Sequence, residues 1–171
     1  MSRFTVRGSA GGLLSGLGHN PEVAITDFTG EARWDPDDAK KASLRIRIRA
    51  AALSVQNDIS DRDRREMERV MREEVLETAR YPEIVFESTA VVASGSNRAQ
   101  IEGELALHGV TRRERLSAQF AVLGGMLRAF GEFSIRQTDY RIKLASVAGG
   151  ALKLKDELQF QFDIVARKRT E

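Results

Sequence analysis

Apolar and polar residues alternate one by one along most of this chain, and a period of two marks strands with one buried face. The clearest run is Leu44-Arg45-Ile46-Arg47-Ile48-Arg49, which sends three aliphatic side chains one way and three guanidinium groups the other. Phe28, Gly30, Ala32 and Trp34 alternate with Thr29, Glu31 and Arg33, and Ile84, Phe86 and Ser88 oppose Val85, Glu87 and Thr89. Ile101, Gly103, Leu105 and Leu107 oppose Glu102, Glu104, Ala106 and His108. Leu158, Phe160, Phe162 and Ile164 oppose Gln159, Gln161, Asp163 and Val165, and fainter alternation covers 4–6, 116–122 and 133–135. About eight strands result, a number that suits a sandwich or a small barrel.

Turn residues punctuate these runs: Trp34-Asp35-Pro36-Asp37-Asp38, Ser94-Gly95-Ser96-Asn97, Gly124-Gly125 and Gly149-Gly150. Glycine and asparagine supply the positive backbone angles that tight turns need. One stretch breaks the alternation. Ser60 is an N-cap with Asp63 three residues on, and Met67, Val70, Met71 and Val75 share a face at helical spacing. The pattern predicts one helix over about residues 61–80, stopped by Pro82. Glu68 and Arg72 stand at the favourable i, i+4 offset, while Glu74 intrudes on the apolar stripe.

One helix among eight strands cannot form a covering layer, so it packs across a sheet or plugs a barrel end. Closure removes sheet edges that invite aggregation, and eight strands is the size at which a barrel holds one small ligand. The expected fold is therefore all-β: one domain over 1–171, a closed antiparallel eight-stranded barrel with the inserted helix.

Composition narrows the function. Lys and Arg number 27 against 25 Asp and Glu, a net charge of only +2, and aromatics are 6% of residues. A nucleic-acid partner is disfavoured, because such binders concentrate cations on one face beside stacking aromatics. The chain has no cysteine, hence no disulfide, thiolate nucleophile or Cys-held metal. The opening Met1-Ser2-Arg3-Phe4-Thr5-Val6 has no apolar signal region, and no stretch is long and apolar enough to span a bilayer. The expectation is a cytoplasmic protein. Gly11, Gly12, Gly16 and Gly18 imitate a dinucleotide loop, but no parallel strand–helix unit follows them.

The run Ala79-Arg80-Tyr81-Pro82-Glu83-Ile84-Val85-Phe86-Glu87-Ser88-Thr89, followed by Gly103-Glu104-Leu105-Ala106-Leu107-His108-Gly109-Val110-Thr111-Arg112, resembles the paired signature of the YceI-like family. Ile135-Arg136-Gln137-Thr138-Asp139-Tyr140-Arg141-Ile142 is similar to a third family stretch, with Arg141 where the family usually has glycine. The opening matches loosely through Phe4-Thr5-Val6 and through His19 ahead of Phe28-Thr29-Gly30. The resemblance implies a lipocalin-like barrel whose interior tunnel holds a polyisoprenoid, an isoprenoid quinone or a similar amphiphilic chain. It also implies members that are often dimeric and often exported to the periplasm.

The inward face of the strands offers a lining for such a tunnel: Leu44, Ile46, Ile48, Phe86, Leu105, Leu107, Phe133, Ile135, Phe160 and Phe162, with Gly103 and Ser88 leaving room. Periodicity alone favours these residues packing as a solid core, since filled small barrels are common. The family resemblance reverses that preference. His19, beside Asn20, is expected to meet a polar headgroup at the barrel mouth, and His108 to bond local backbone in a hairpin turn. Arg45, Arg47 and Arg49 form an outer basic stripe, either solvated and paired with acids such as Glu102 and Glu104 or touching an anionic membrane surface.

No nucleophile motif or metal-ligand spacing is present, so the expected role is non-enzymatic, without cofactor or metal. An enzyme reading requires His19, His108 and Asp139 to converge beside an open pocket. A third reading is a filled barrel that acts through protein contacts.

Overall fold

The computed structural model describes residues 2–11, 20–33, 41–144, 146–147 and 152–167. Strands β1 (Arg3–Gly11), β2 (Glu22–Ile25), β3 (Phe28–Arg33), β4 (Ser43–Arg49) and β5 (Leu53–Val55) precede helix α1 (Asp61–Val70). Strands β6 (Glu83–Ala93), β7 (Arg98–Leu107), β8 (Val110–Leu123), β9 (Met126–Arg136), β10 (Ser146–Val147) and β11 (Leu152–Arg167) follow. They form one sheet in the order β3-β4-β6-β7-β8-β9-β11-β1-β2-β5, with β10 paired to β11.

The sheet curls strongly. Phe4 on β1 and Phe28 on β3 stand far apart in ladder order, yet their rings meet edge-on with centroids 6.2 Å apart. β7 shows the governing pattern most cleanly. Ala99, Ile101, Gly103, Leu105 and Leu107 are buried, while the residues between them face outward. β11 is 16 residues long, roughly 50 Å of extended chain.

The eight alternating runs in the sequence are β1, β3, β4, β6, β7, β8, β9 and β11. Three further strands, β2, β5 and β10, have four, three and two residues, too few to display a period. The expected closed ring of eight is replaced by an open order running from β3 to β5. The cause is a shared bend. Residues 22–33 pair with 43–55 on both sides of it, through Val23↔Val55 to Ile25↔Leu53 and then Phe28↔Ile48 to Arg33↔Ser43. At the bend Thr26 Oγ1 donates to Ala52 O at 2.6 Å, Arg49 N donates to Asp27 O at 3.1 Å, and the Arg49 guanidinium reaches the Asp27 carboxylate at 2.5 Å.

Helix α1 begins as expected: Ser60 Oγ accepts from Asp63 N at 3.1 Å and donates to the Asp63 carboxylate at 2.8 Å. It ends earlier than expected. A π-helical turn over Met71–Val75 follows, and Glu77 at φ +46° reverses the chain, so Pro82 stops nothing. The wider turn swings Glu74 off the apolar stripe to meet Arg69 at 3.1 Å, beside Glu66 and Glu73. The helix also protects a sheet edge. Glu68 Oε1 accepts from Val55 N at 3.1 Å, and Arg64 donates to Val55 O at 2.6 Å, satisfying backbone groups of edge strand β5.

The β7–β8 end is sealed by the 3-10 turn Gln137–Tyr140. Tyr140 is fully buried, and its hydroxyl donates to Glu114 Oε1 at 2.6 Å. Burial first, then this hydrogen bond, raise its phenol well above the ordinary tyrosine range. A phenol kept protonated in the folded state stabilises fully below the unfolded tyrosine value of about 10, and the contribution fades as pH rises past it. Tyr140→Phe is expected to cost about 1–2 kcal/mol at neutral pH. Urea midpoints taken at about pH 8 and about pH 11 should show the parent losing its advantage over the variant. An advantage that persists at the higher pH contradicts the assigned bond. Arg141, at φ +58°, holds the left-handed angle that explains a glycine preference at this position.

Candidate functional site

The curled sheet encloses a cavity of about 1730 Å³. This exceeds the roughly 300–1,000 Å³ of ordinary small-molecule pockets. Nine of the ten expected lining residues face it: Leu44, Ile46, Ile48, Phe86, Leu105, Leu107, Phe133, Phe160 and Phe162. Ile135 does not. It is 3% exposed and packs in the core cluster with Tyr140 and Ile142, of which Ile142 itself reaches the cavity. His19 lies outside the described residues, as do the turns at 34–38 and 149–150.

The interior is organised by aromatic rings. Phe133 and Phe160 stack at 4.7 Å with an interplanar angle of 12°, and Phe4 meets Phe160 and Phe162 edge-on at 6.2 and 6.4 Å. These three strands are neighbours, so alternate residues on β1, β11 and β9 place the rings side by side. Polar groups gather toward the ends. Ser2, Glu31, Arg33 and Arg167 lie where β3 and β11 finish, and Asn57, Glu66 and Gln137 lie toward the helix and the 3-10 turn. Arg69 holds the Glu66 carboxyl below the usual carboxylate range, chiefly by hydrogen bonding. Gln137 Nε2 donates to Lys155 O at 3.0 Å.

Two sequence inferences about space change. Gly103 does not widen the lumen, because the Phe86 ring lies over it; a Cβ there would stand 2.5 Å from Phe86 Cζ. Ser88 closes a polar gap, with its Oγ accepting from Leu44 N at 2.8 Å. The expected lining left out the helical wall. Met67, Val70, Met71, Val75 and Leu76 line the cavity, and their i, i+3, i+4 spacing had already marked the first four as one apolar face.

His108 differs from the expected local turn role. It does sit in the turn, at φ +51°, but its ring reaches other elements: Nδ1 lies 3.2 Å from Tyr140 O and Nε2 2.9 Å from Glu77 Oε2, with Tyr81 against one face. It thereby ties the helix end to the sealed end. Asp139 faces Arg112 at 3.8 Å. Neither His108 nor Asp139 lines the cavity. The outer arginines pair with nearby acids, Arg45 with Glu87 and Arg47 with Glu83 on the adjoining β6 at 3.7 Å each, and Arg49 with Asp27 in the bend. Their partners are thus not Glu102 and Glu104; Glu102 is taken by Arg115.

Among the described residues, a single curled antiparallel sheet with one α-helix around a large apolar hollow defines a lipocalin-like fold. Within that class the chain belongs to the YceI-like family, whose domain matches residues 4–166. A UPF0312 protein of Pseudomonas putida (strain W619) is 33% identical over 94 residues, 55% of this chain and 46% of that protein. One from Azotobacter vinelandii is 30% identical over 131 residues, 76% of this chain and 59% of that protein. The chain thus spans about half the length of the curated relatives it matches. Among solved structures, Burkholderia cenocepacia BcnA superposes with a TM-score of 0.76 at 20% identity, covering 96% of both chains. A polyisoprenoid binding domain from Saccharophagus degradans, implicated in plant cell wall breakdown, superposes with a TM-score of 0.69 at 15% identity, covering 98% of this chain and 94% of that one.

Proposed function

We propose that this protein binds and carries a long apolar lipid, a polyisoprenoid, an isoprenoid quinone or a similar amphiphilic chain, in its central cavity without catalysing a reaction on it. The observation that carries this reading is the hollow lined by Phe133, Phe160, Phe162 and the aliphatic rows of β4 and β7. The polyisoprenoid binding described for the Saccharophagus degradans domain supports it. Burial contributes roughly 0.8 kcal/mol per methylene against roughly 4–15 kcal/mol of lost freedom on association. A guest therefore needs on the order of ten or more buried carbons, so short amphiphiles bind feebly.

In this reading β2 with β3, and β4 with β5, act as two bent strands. The first joins β1 and the second joins β6, which makes the wall a ring of eight around the guest. The pairings on both sides of the bend support that closure.

Native mass spectrometry after gentle purification tests the proposal. The expected result is a co-purifying lipid mass, or stoichiometric uptake of an added isoprenoid quinone and much weaker uptake of a short-chain analogue. Absence of uptake with either guest overturns it.

A further inference from the structure

The hairpin joining β8 and β9 stands out at the cavity mouth opposite the helix. Its turn, Leu123-Gly124-Gly125-Met126, uses positive φ at both glycines, +57° and +76°, which makes a tight two-residue reversal. The turn is apolar where such turns are ordinarily polar. Leu123 is 78% exposed, and Val122, Met126 and Phe130 are also among the exposed large apolar side chains.

Register shows that the tip projects past β7, while on its other side β11 accompanies it as far as Met126. The β7–β8 ladder ends at Arg98↔Gln119, with a last bond from Phe120 N to Asn97 O at 2.8 Å, whereas β8 runs on to Leu123 paired with β9 alone. The same hairpin turns Leu127 and Ala129 into the cavity. Val122, paired with Leu127, shares that inward face, while Leu123, Met126 and Phe130 alternate onto the outer face, so the tip is apolar on both sides where it meets the cavity rim. Arg98 begins the neighbouring strand, Arg128 lies two residues behind the tip, and Arg167 pairs with Met126 at the end of β11. Asp163 offsets Arg128 through two hydrogen bonds, leaving an apolar finger above a net cationic collar.

We propose that this hairpin is a membrane-docking finger: Leu123, Met126 and Val122 enter the headgroup boundary of an anionic bilayer while Arg98 and Arg167 meet its phosphates. Shallow insertion of an apolar edge backed by cations is how peripheral elements sit in that layer. A second copy of the chain fits less well, since a few side chains offer roughly 400 Å² against the ~800 Å² per partner of a stable interface. The docking goes beyond the lumen reading, yet it places the mouth where a water-insoluble guest can pass between bilayer and cavity.

The test is co-sedimentation of the full chain with vesicles of equal parts phosphatidylglycerol and phosphatidylcholine, for the parent and for Leu123→Asp/Met126→Asp. Both sites are exposed, so the variant keeps its fold by circular dichroism. The expected result is at least a ~ten-fold loss of vesicle partition, with quinone uptake from detergent micelles unchanged. A Leu123→Trp reporter should shift its emission to the blue on the same vesicles. Equal partition of variant and parent, or no partition of either, overturns the proposal. So does a variant that loses only self-association in sedimentation velocity, which assigns the finger to a second copy. Failure of the parent to take up quinone from micelles strikes the lumen reading and leaves vesicle docking standing.

Discussion

Phe160→Arg is expected to abolish lipid uptake while leaving a folded, weakened protein. Phe160 lies mid-strand on β11, paired with Val6 on one side and Phe133 on the other. Its ring stacks on Phe133 at 4.7 Å and touches Phe4 edge-on. Truncating a buried Phe costs about 3–5 kcal/mol, and Phe160 is only part-buried against the hollow, so about 2–4 kcal/mol is expected. The guanidinium cannot shed its proton, but an empty lumen can hydrate it. A guest must strip that water. Among the described residues, the lumen's acids, Glu31 and Glu66, stand toward its ends, so none of them awaits the charge midway. Leaving such a charge unpaired costs about 3–5 kcal/mol, which is a loss of roughly 100-fold or more in affinity. Titration with a fluorescent isoprenoid analogue measures this, and Phe160→Leu is the control expected to retain uptake within a few-fold. Leu105→Arg probes a tighter place. Leu105 also faces the cavity but is only 6% exposed and packs within the main core cluster, so that variant is expected not to fold at all. Undiminished uptake by folded Phe160→Arg means the guest does not run along β11.

What the sequence made legible follows from length. Runs such as Leu44–Arg49 and Ile101–His108 repeat their period often enough to identify both the strand and its inward face. β2 and β5 were hidden because four and three residues show no period, and with them went the bend that interrupts the ring. Nine lining residues were readable because alternation assigns faces. Ile135 shares that alternation, and its burial in the cluster with Tyr140 and Ile142 keeps it off the lining. The reach of His108 to Glu77 spans 31 positions, and that contact depends on the positive φ at Glu77, a backbone angle that no spacing rule foretells. Glu74 looked anomalous because a helix was counted at 3.6 residues per turn through a segment that is π-helical.

Glycine positions misled for a related reason. A small residue on an inward face reads as vacant space, but a neighbouring ring can own that space. Gly131 on β9 is the stronger case. It pairs with Ala118 on β8 and Phe162 on β11, and a Cβ added there would collide with Ser117 O and lie 2.8 Å from Phe162 Cζ. The ring can rotate away, but the carbonyl belongs to the β8–β9 ladder and cannot move without opening it. Gly131→Ala is therefore expected to destabilise by roughly 2–4 kcal/mol, although alanine outranks glycine in strands on entropy alone. For a chain of this size that corresponds to a fall of roughly 5–15 °C in Tm. A second substitution separates the two obstacles. If the carbonyl is the fixed one, Gly131→Ala/Phe162→Leu will melt no higher than Gly131→Ala; recovery toward the parent would make the Phe162 ring the real constraint. A single variant that melts with the parent would mean that β8 and β9 are not this close at Gly131.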